Sequence, residues 1–347
     1  MFYIFGGVLM SIYDNKSPNI VYASDDGFAE VLGVSIISLY ANNKEMDDIN
    51  VFVLDSGISA ENKRKLISIS KEYNRRKIEF ISAKNISEIL KLDVKTDRGS
   101  LSQYARLFIS SSLPKTIERV LYLDCDIVIN GSILELWQMD MRGKTIAALK
   151  DIFSKQYRKN IGLKPNDLMF NSGVMLIDIN KWIDNKIEKK LLEFIKAHKG
   201  VIQQGDQGAL NAILSNDTCC FHPRYNSITV LYDFSYDEIL IFRKPADFYS
   251  RNEIKEAVEK PVLIHYTTSF ISVRPWVEGS THPYKDVWLK FKKMSPWSET
   301  PLRKNTKAKG IKGVYSNMHN ILPRKLYIHI SGLLHAYGRP LVYSLKR

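Results

Sequence analysis

The chain is poor in several things, and each shortage excludes a class of protein. Cysteine occurs three times in 347 residues, as Cys125, Cys219 and Cys220. The count is odd, two are adjacent, and no C-x-x-C or Cys/His spacing is present, which argues against a disulfide scaffold and a structural zinc domain. A reducing cytoplasm fits this usage. No uninterrupted apolar run reaches the ~20 residues that cross a bilayer as a helix. The apolar opening MFYIFGGVLM lacks a basic n-region and a small-residue cleavage site, so it does not read as a secretory signal. It is either a short extension or a segment upstream of a native start at Met10. No G-x-G-x-x-G follows the first strand, which disfavours a nicotinamide dehydrogenase. Acidic residues are missing altogether from residues 300–347, which hold ten lysines and arginines; of the net charge of +13, only +3 is left for the rest of the chain.

What is present is ordinary for a folded enzyme-sized domain. Hydrophobic residues make up 45% and charged residues 25%, enough to bury one large core. The first 215 residues alternate strand and helix patterns, as an α/β layered domain does. Strands are expected at residues 19–24, 51–54, 77–82, 119–129, 145–149, 173–179 and 261–266. Helices are expected at 28–40, at 60–73 with Ser59 as N-cap, and at 101–111, 182–198 and 207–214. Beyond Trp297 the periodicity fades, residues 300–313 read as a basic linker, and residues 321–335 are expected to form an amphipathic helix with Pro323 in its first turn. The division is therefore an extension at 1–18, a catalytic domain at 19–299 and a basic tail at 300–347.

The strand LYLDCDIVI (residues 121–129) carries the strongest chemical signal. Asp124 and Asp126 stand two apart, and residues i and i+2 of a strand project to the same side. Two carboxylates converging there repel unless a cation lies between them, and hard oxygen ligands with open positions suit Mg²⁺ or Mn²⁺ bridging a diphosphate. Strand ends of open α/β sheets are also where ligands bind. The competing bland reading is a pair of solvated turn aspartates.

Several blocks then occur in a fixed order: NIVYASDD, GVSIISLY, YARL, LYLDCDIVI, FNSGVMLIDINKW, QQGDQGALN and IHY, followed by RPWVEGSTHPYKDVWLKFKKMSPWSETPL. Together, from about Asn19 to Leu302, they resemble the family 8 retaining glycosyltransferases, and the last stretch resembles bacterial lipopolysaccharide galactosyl- and glucosyltransferases. The resemblance implies a GT-A fold, a mixed Rossmann-like sheet flanked by helices, and transfer of galactose or glucose from a UDP-sugar to a lipopolysaccharide core or related glycan. By position it implies that Ala23 and Asp25 contact the nucleoside, that Arg106 holds the anionic part of the donor, and that Asp124, Asp126 and His265 bind the metal, Asp124 also touching the donor. Asn171, Asp206 and Gln207 would border the transferred sugar, and Asp151 would face the acceptor. Two carboxylates and an imidazole suit Mn²⁺ somewhat better than Mg²⁺.

The pattern departs from the family in two places. After the metal histidine, family members have a short Gly-containing turn and Lys-Pro-Trp; here the run is HYTTSFISVRPW, longer, without glycine, and with Arg274 in the lysine's place. Gly27 stands where some members carry a polar donor-binding side chain. The altered loop keeps open a non-catalytic nucleotide-sugar- or glycan-binding relative. A haloacid-dehalogenase-like phosphatase shares a D-x-D strand, but its motif ends the first strand of the domain, and three strands precede this one. The basic, tyrosine-bearing tail suits an anionic inner-leaflet membrane surface, which would place the enzyme peripherally on the cytoplasmic face beside a lipid-linked saccharide acceptor. The rival electrostatic partner, nucleic acid, is not expected, since no nucleic-acid module accompanies the charge.

Overall fold

The computed structural model describes residues 17–95, 100–305 and 321–345. The expectations for residues 1–16, and for the part of the basic linker from residue 306, lie outside the described residues. Seven strands form the main sheet in the order β3 (Glu79–Ser82), β2 (Asn50–Asp55), β1 (Asn19–Ser24), β4 (Arg119–Leu123), β7 (Phe170–Asp178), β6 (Ile146–Lys150), β8 (Thr218–Cys220). Strands β3, β2, β1 and β4 run parallel; β7 is antiparallel to β4 and β6, and β8 is parallel to β6. A small second sheet has the order β5 (Ile127–Ile129), β10 (Leu263–His265), β9 (Ser227–Ile228).

The central strands are apolar on both faces because helices cover both. Along β1 and β4, Ile20, Tyr22, Leu121 and Leu123 enter the core on one side. Val21, Val120 and Tyr122 enter the core on the other side, as the two-residue period of a strand requires. Helix α1 (Ala29–Ala41) is buried nearly all round and α2 (Ala60–Glu72) only along one stripe. Ser59 caps α2 as expected, its side chain accepting from Asn62 N at 3.2 Å. Against α1 lies the C-terminal region of the catalytic body. Trp297 is seated on Gly33, where a Cβ would overlap the indole ring, and buried Lys292 pairs with Glu30.

Three local expectations in the catalytic body are corrected. Residues 119–129 are not one strand: β4 ends at Leu123, paired with Val174, and β5 begins at Ile127, paired with His265 in the other sheet. Residues 124–126 make the crossing, so a turn, rather than the pleat, brings the two carboxylates together. Residues 101–111 wind mostly as a 3-10 helix, Leu101–Phe108. Five successive side chains, Tyr104 to Phe108, are buried there, more than the apolar stripe of a surface α-helix accommodates. The expected helix at 182–198 is two, Ile179–Asp184 and Ile187–Ala197, divided by Lys186 at φ 52°. A continuous helix would carry Trp182 about 140° away from Ile187, yet both are buried.

The described part of the tail is docked on the catalytic body. Arg303 pairs with Val277 in an isolated bridge. The helix Arg324–Leu333 continues through a π-helical turn, Leu334–Gly338, into Arg339–Leu345. Pro323 is its N-cap rather than part of its first turn. Tyr327, Ile328, Ser331 and Gly332 face inward; at Gly332 a Cβ would approach Ile241 O to 2.7 Å, so only glycine permits this contact with the helix Tyr236–Arg243.

The Trp297 seat yields a stability prediction. Gly33→Ala forces a methyl into the indole of a well-packed core, and overpacking of this kind costs about 1–3 kcal/mol. Denaturant unfolding should show the midpoint lowered by that amount, whereas Gly57→Ala, whose Cβ would meet open space, should lack the steric part of the loss and retain only backbone strain at φ 104°.

Candidate active site

A cleft of about 390 Å³ opens beyond the C-terminal ends of β1 and β4. Ala23 and Asp25, at the end of β1, line one side, with Phe28, Ser100 and Ser102 beside them; Arg106, Asp124, Asp126 and Arg274 line the other. Asp25 is half-exposed and already oriented, its Oδ2 accepting from Ser100 Oγ at 2.8 Å. The main chain of Gly27 accepts from Arg303 Nη2 at 2.6 Å.

At the deep end, Asp124 and Asp126 from the crossing segment meet His265 from β10. Their ligand atoms lie within 4.8 Å of one another. His265 Nε2 is 3.1 Å from Asp126 Oδ1 and 3.8 Å from Asp124 Oδ2. His265 is 1% exposed, and its Nε2 has no hydrogen-bond partner among the described residues. A buried polar atom left thus is costly unless something else satisfies it. Two carboxylate oxygens and one imidazole nitrogen are a donor set for a divalent cation, so the residues fit the metal that the sequence implied. Their close approach depends on Gly173 in β7: a Cβ there would overlap His265 Cε1 and stand 3.0 Å from Asp124 Oδ2. The main chain locks the same place, since Asp124 N donates to Gly173 O at 2.8 Å and Tyr266 N to Asp126 O at 2.9 Å.

Arg106 compensates the acidic cluster. It is 6% exposed and lies 3.0 Å from Asp124 Oδ1 through Nη2 and 2.8 Å from Asp206 Oδ2 through Nε. Nη1 donates to Ser172 O at 2.7 Å, and the guanidinium lies 4.6 Å from the Tyr122 ring centre, a cation–π distance. Burial by itself would make the guanidinium easier to deprotonate; Asp124 and Asp206 outweigh it and fix the positive charge. Tyr122 adds a donor, its hydroxyl reaching Asp124 Oδ1 at 3.1 Å.

The other residues singled out in the sequence form a second row. Gln207 Nε2 donates to Asp151 Oδ2 at 2.9 Å, and Gln207 Oε1 accepts from Ser172 N at 3.2 Å. Burial raises the Asp151 carboxyl above its ordinary range, against the opposing pull of the Ile152 N–H, Arg243 and Gln207. Asn171 Oδ1 accepts from Gly173 N at 3.0 Å and from Asn226 Nδ2 at 2.9 Å. Arg274, despite the longer loop, reaches the cleft: Nη2 is 3.5 Å from Asp126 Oδ2 and donates to Thr268 Oγ1 at 2.7 Å. Asp233 anchors that loop, accepting from the hydroxyls of Ser269 and Ser272. Sequence reasoning passed over Asn226, Tyr122, Ser172 and Asp233. Asn226 has no local motif to reveal it, because its partners lie 39 and 55 residues away in sequence.

A mixed sheet ending in a cleft with a carboxylate–imidazole cluster is the arrangement of a GT-A glycosyltransferase with a candidate divalent-metal site. The chain belongs to glycosyl transferase family 8, whose profile matches residues 19–279. General stress protein A of Bacillus subtilis (strain 168) is 28% identical over 81% of this chain and 94% of its own length. Lipopolysaccharide 1,2-glucosyltransferase of Escherichia coli (strain K12) is 27% identical, covering 84% and 82%. Lipopolysaccharide 1,3-galactosyltransferase of Salmonella typhimurium (strain LT2) is likewise 27% identical, covering 82% and 80%. Among solved structures, galactosyltransferase LgtC in complex with donor and acceptor sugar analogs superposes with a TM-score of 0.68 at 25% identity, over 81% of this chain and 99% of that one. Family membership removes the phosphatase alternative.

The Gly173 contact can be tested directly. Gly173→Ala should push the imidazole away from the two carboxylates and weaken divalent-cation binding by about tenfold or more, the scale of a mispositioned ligand. A Mn²⁺ titration on the folded variant, with its fold verified by circular dichroism, checks this.

Proposed function

We propose that the enzyme transfers galactose or glucose from a UDP-sugar to a lipopolysaccharide core or related surface glycan, with retention of anomeric configuration. The observation that carries this reading is the convergence of Asp124, Asp126 and His265 at the end of a cleft lined by Ala23, Asp25 and Arg106. Ala23 and Asp25 would take the nucleoside at the mouth, and Asp124, Asp126 and His265 would hold Mn²⁺, or Mg²⁺, at the depth of a diphosphate. When bound, the cation supplies Lewis-acid stabilisation of charge on the departing diphosphate. Arg274, at the rim, offers a second positive charge that can hold phosphate bidentately. The likeness to lipopolysaccharide glucosyl- and galactosyltransferases supports the choice of hexose and acceptor class.

The side chains around the transferred sugar favour attack from the face the diphosphate leaves. Double displacement needs a nucleophile under the anomeric carbon. Gln207 is a neutral amide committed to Asp151 and Ser172. Asp206 is an ion-pair partner of buried Arg106, which lowers its nucleophilicity. Asp151, with its raised carboxyl, would serve the acceptor side. Asp124→Asn and Asp126→Asn should each lower UDP-hexose turnover by at least ~100-fold, as loss of a charge-stabilising group does. Thermal unfolding should stay near wild type. Intact-mass analysis of the slowed Asp126→Asn enzyme incubated with donor should show no glycosyl adduct. Full turnover in excess chelator contradicts the metal role, and an adduct on Asp206 contradicts same-face attack.

The residues 300–347 form, in this reading, a membrane-associating segment that brings the cleft to a lipid-linked acceptor at the cytoplasmic face. Leu326, Leu333, Leu334, Leu341 and Val342 are exposed on the docked helices, with Lys325 and Arg339 among them and no acidic residue in the segment. No helix among the described residues is long and apolar enough to cross a membrane, so the contact would be interfacial. Leu334→Glu with Leu341→Glu should abolish co-sedimentation with anionic vesicles while leaving turnover of a soluble acceptor unchanged. Undiminished co-sedimentation would remove this role.

A further inference from the structure

We infer that Asn226 is a positioning residue that fixes which nitrogen of His265 is offered to the metal. The inference rests on the reading of Asp124, Asp126 and His265 as a cation site, and it follows from a chain of hydrogen bonds whose first member admits one polarity only. The main-chain N of Gly173 is a donor and nothing else, so the Asn171 side-chain atom 3.0 Å from it is the carbonyl oxygen. That same oxygen is 2.9 Å from a side-chain atom of Asn226, which must therefore be the amide nitrogen. The other head atom of Asn226 is then its oxygen, an acceptor, and it lies 2.8 Å from His265 Nδ1. An acceptor there requires the proton on Nδ1. In the neutral ring, Nε2 is left with its lone pair directed at the two carboxylates, the form in which imidazole binds a metal.

The surroundings leave the relay little freedom. Asn226 is fully buried, and His265 is 1% exposed. The ring sits flush on β7, with Cε1 and Nδ1 filling the space that a Cβ at Gly173 would need. Asn171 is half-buried, and the family resemblance would give it a further duty beside the transferred sugar. One backbone N–H in β7 thus sets, through two amides, the tautomer of a ligand in the second sheet.

The test uses the full-length protein with Mn²⁺ titrated in the presence of UDP, free Mn²⁺ being read by electron paramagnetic resonance. Asn226→Leu, of similar shape but unable to accept, should weaken Mn²⁺ binding by about 10–100-fold, the range for removing an outer partner of a metal-bound histidine. Asn226→Asp keeps an acceptor toward Nδ1 and, held as the neutral acid by its burial, can donate its carboxyl proton to Asn171 Oδ1, which Gly173 N keeps in place; this variant should bind Mn²⁺ within about threefold of wild type, on the scale of a retained outer partner. Wild-type affinity in a folded Asn226→Leu overturns the inference, as does an Asn226→Asp loss equal to that of Asn226→Leu. Should Asn226→Leu fail to fold, the Asn226→Asp affinity decides: retention supports the relay and a tenfold loss refutes it. Asp126→Asn run alongside separates the two levels. If it too binds Mn²⁺ normally, the cation site itself is wrong; if it loses binding while Asn226→Leu does not, only the relay falls.

Discussion

Two carboxylates two residues apart, at the bottom of a cleft and only slightly exposed, repel each other strongly in a medium less polar than water. Everything around Asp124 and Asp126 answers that repulsion, and does so unequally. Asp124 is bound to Arg106 and receives the Tyr122 hydroxyl; Asp126 faces His265 and Arg274. Arg106 is shared with Asp206, so its single charge is set against two anions. The local balance stays acidic until a cation enters between the carboxylates and the imidazole. A metal held there would bring a surplus of positive charge that, with Arg274 at the rim, would suit an anionic ligand such as the diphosphate of the proposed donor.

The architecture explains why this cluster forms where it does. The chain leaves the main sheet at Leu123 and joins the second sheet at Ile127, so Asp124 and Asp126 occupy the seam between two sheets. Main-chain bonds tie the seam from both sides, to Gly173 in β7 and to Tyr266 beyond β10. A histidine on β10 and a glycine on β7 face each other across the seam, and the absent side chain of the glycine makes room for the imidazole. The requirement for glycine here is one of close approach, independent of φ.

Most of the catalytic region was legible in the sequence, because it is written in local patterns: apolar strands, a D-x-D pair and ordered blocks that keep their spacing. Placing Asp124, Asp126 and His265 as one group required the family resemblance, since 139 residues separate the last two. What the sequence concealed was of two kinds. Some was conformational, such as the break inside LYLDCDIVI, which no residue announces because Ile127–Ile129 is as strand-like as Arg119–Leu123; only the competing partner β10 splits them. Some was long-range and polar, such as Asn226 and Asp233, whose roles arise from partners on other elements and leave no periodic trace. A helix at 321–335 was anticipated from its apolar spacing, while its continuation to Leu345 was not, and that spacing does not say which apolar residues face the body and which face outward.

That last distinction bears on how the two ends of the enzyme are joined. The inward face of the C-terminal segment is polar as well as apolar: Ser154 Oγ donates to Ala336 O at 2.7 Å, Tyr157 hydroxyl to His335 O at 3.0 Å, and Asn160 Nδ2 to Pro340 O at 2.9 Å. These donors belong to the stretch that begins at Asp151, whose carboxylate accepts from Gln207. Asn160 also donates to Gln203 at 2.7 Å, at the entry to the helix that carries Asp206 and Gln207. The surface helices and the Asp151–Gln207 pair are therefore built on a common set of hydrogen bonds. Deleting the segment would remove buried Tyr327 and Ile328, uncover Phe242, which now packs against His335, and strip partners from three polar side chains, so loss of activity after truncation says nothing about membranes. Substitutions confined to the outward leucines leave that framework whole, and only they separate what the segment supports inside the protein from what it touches outside.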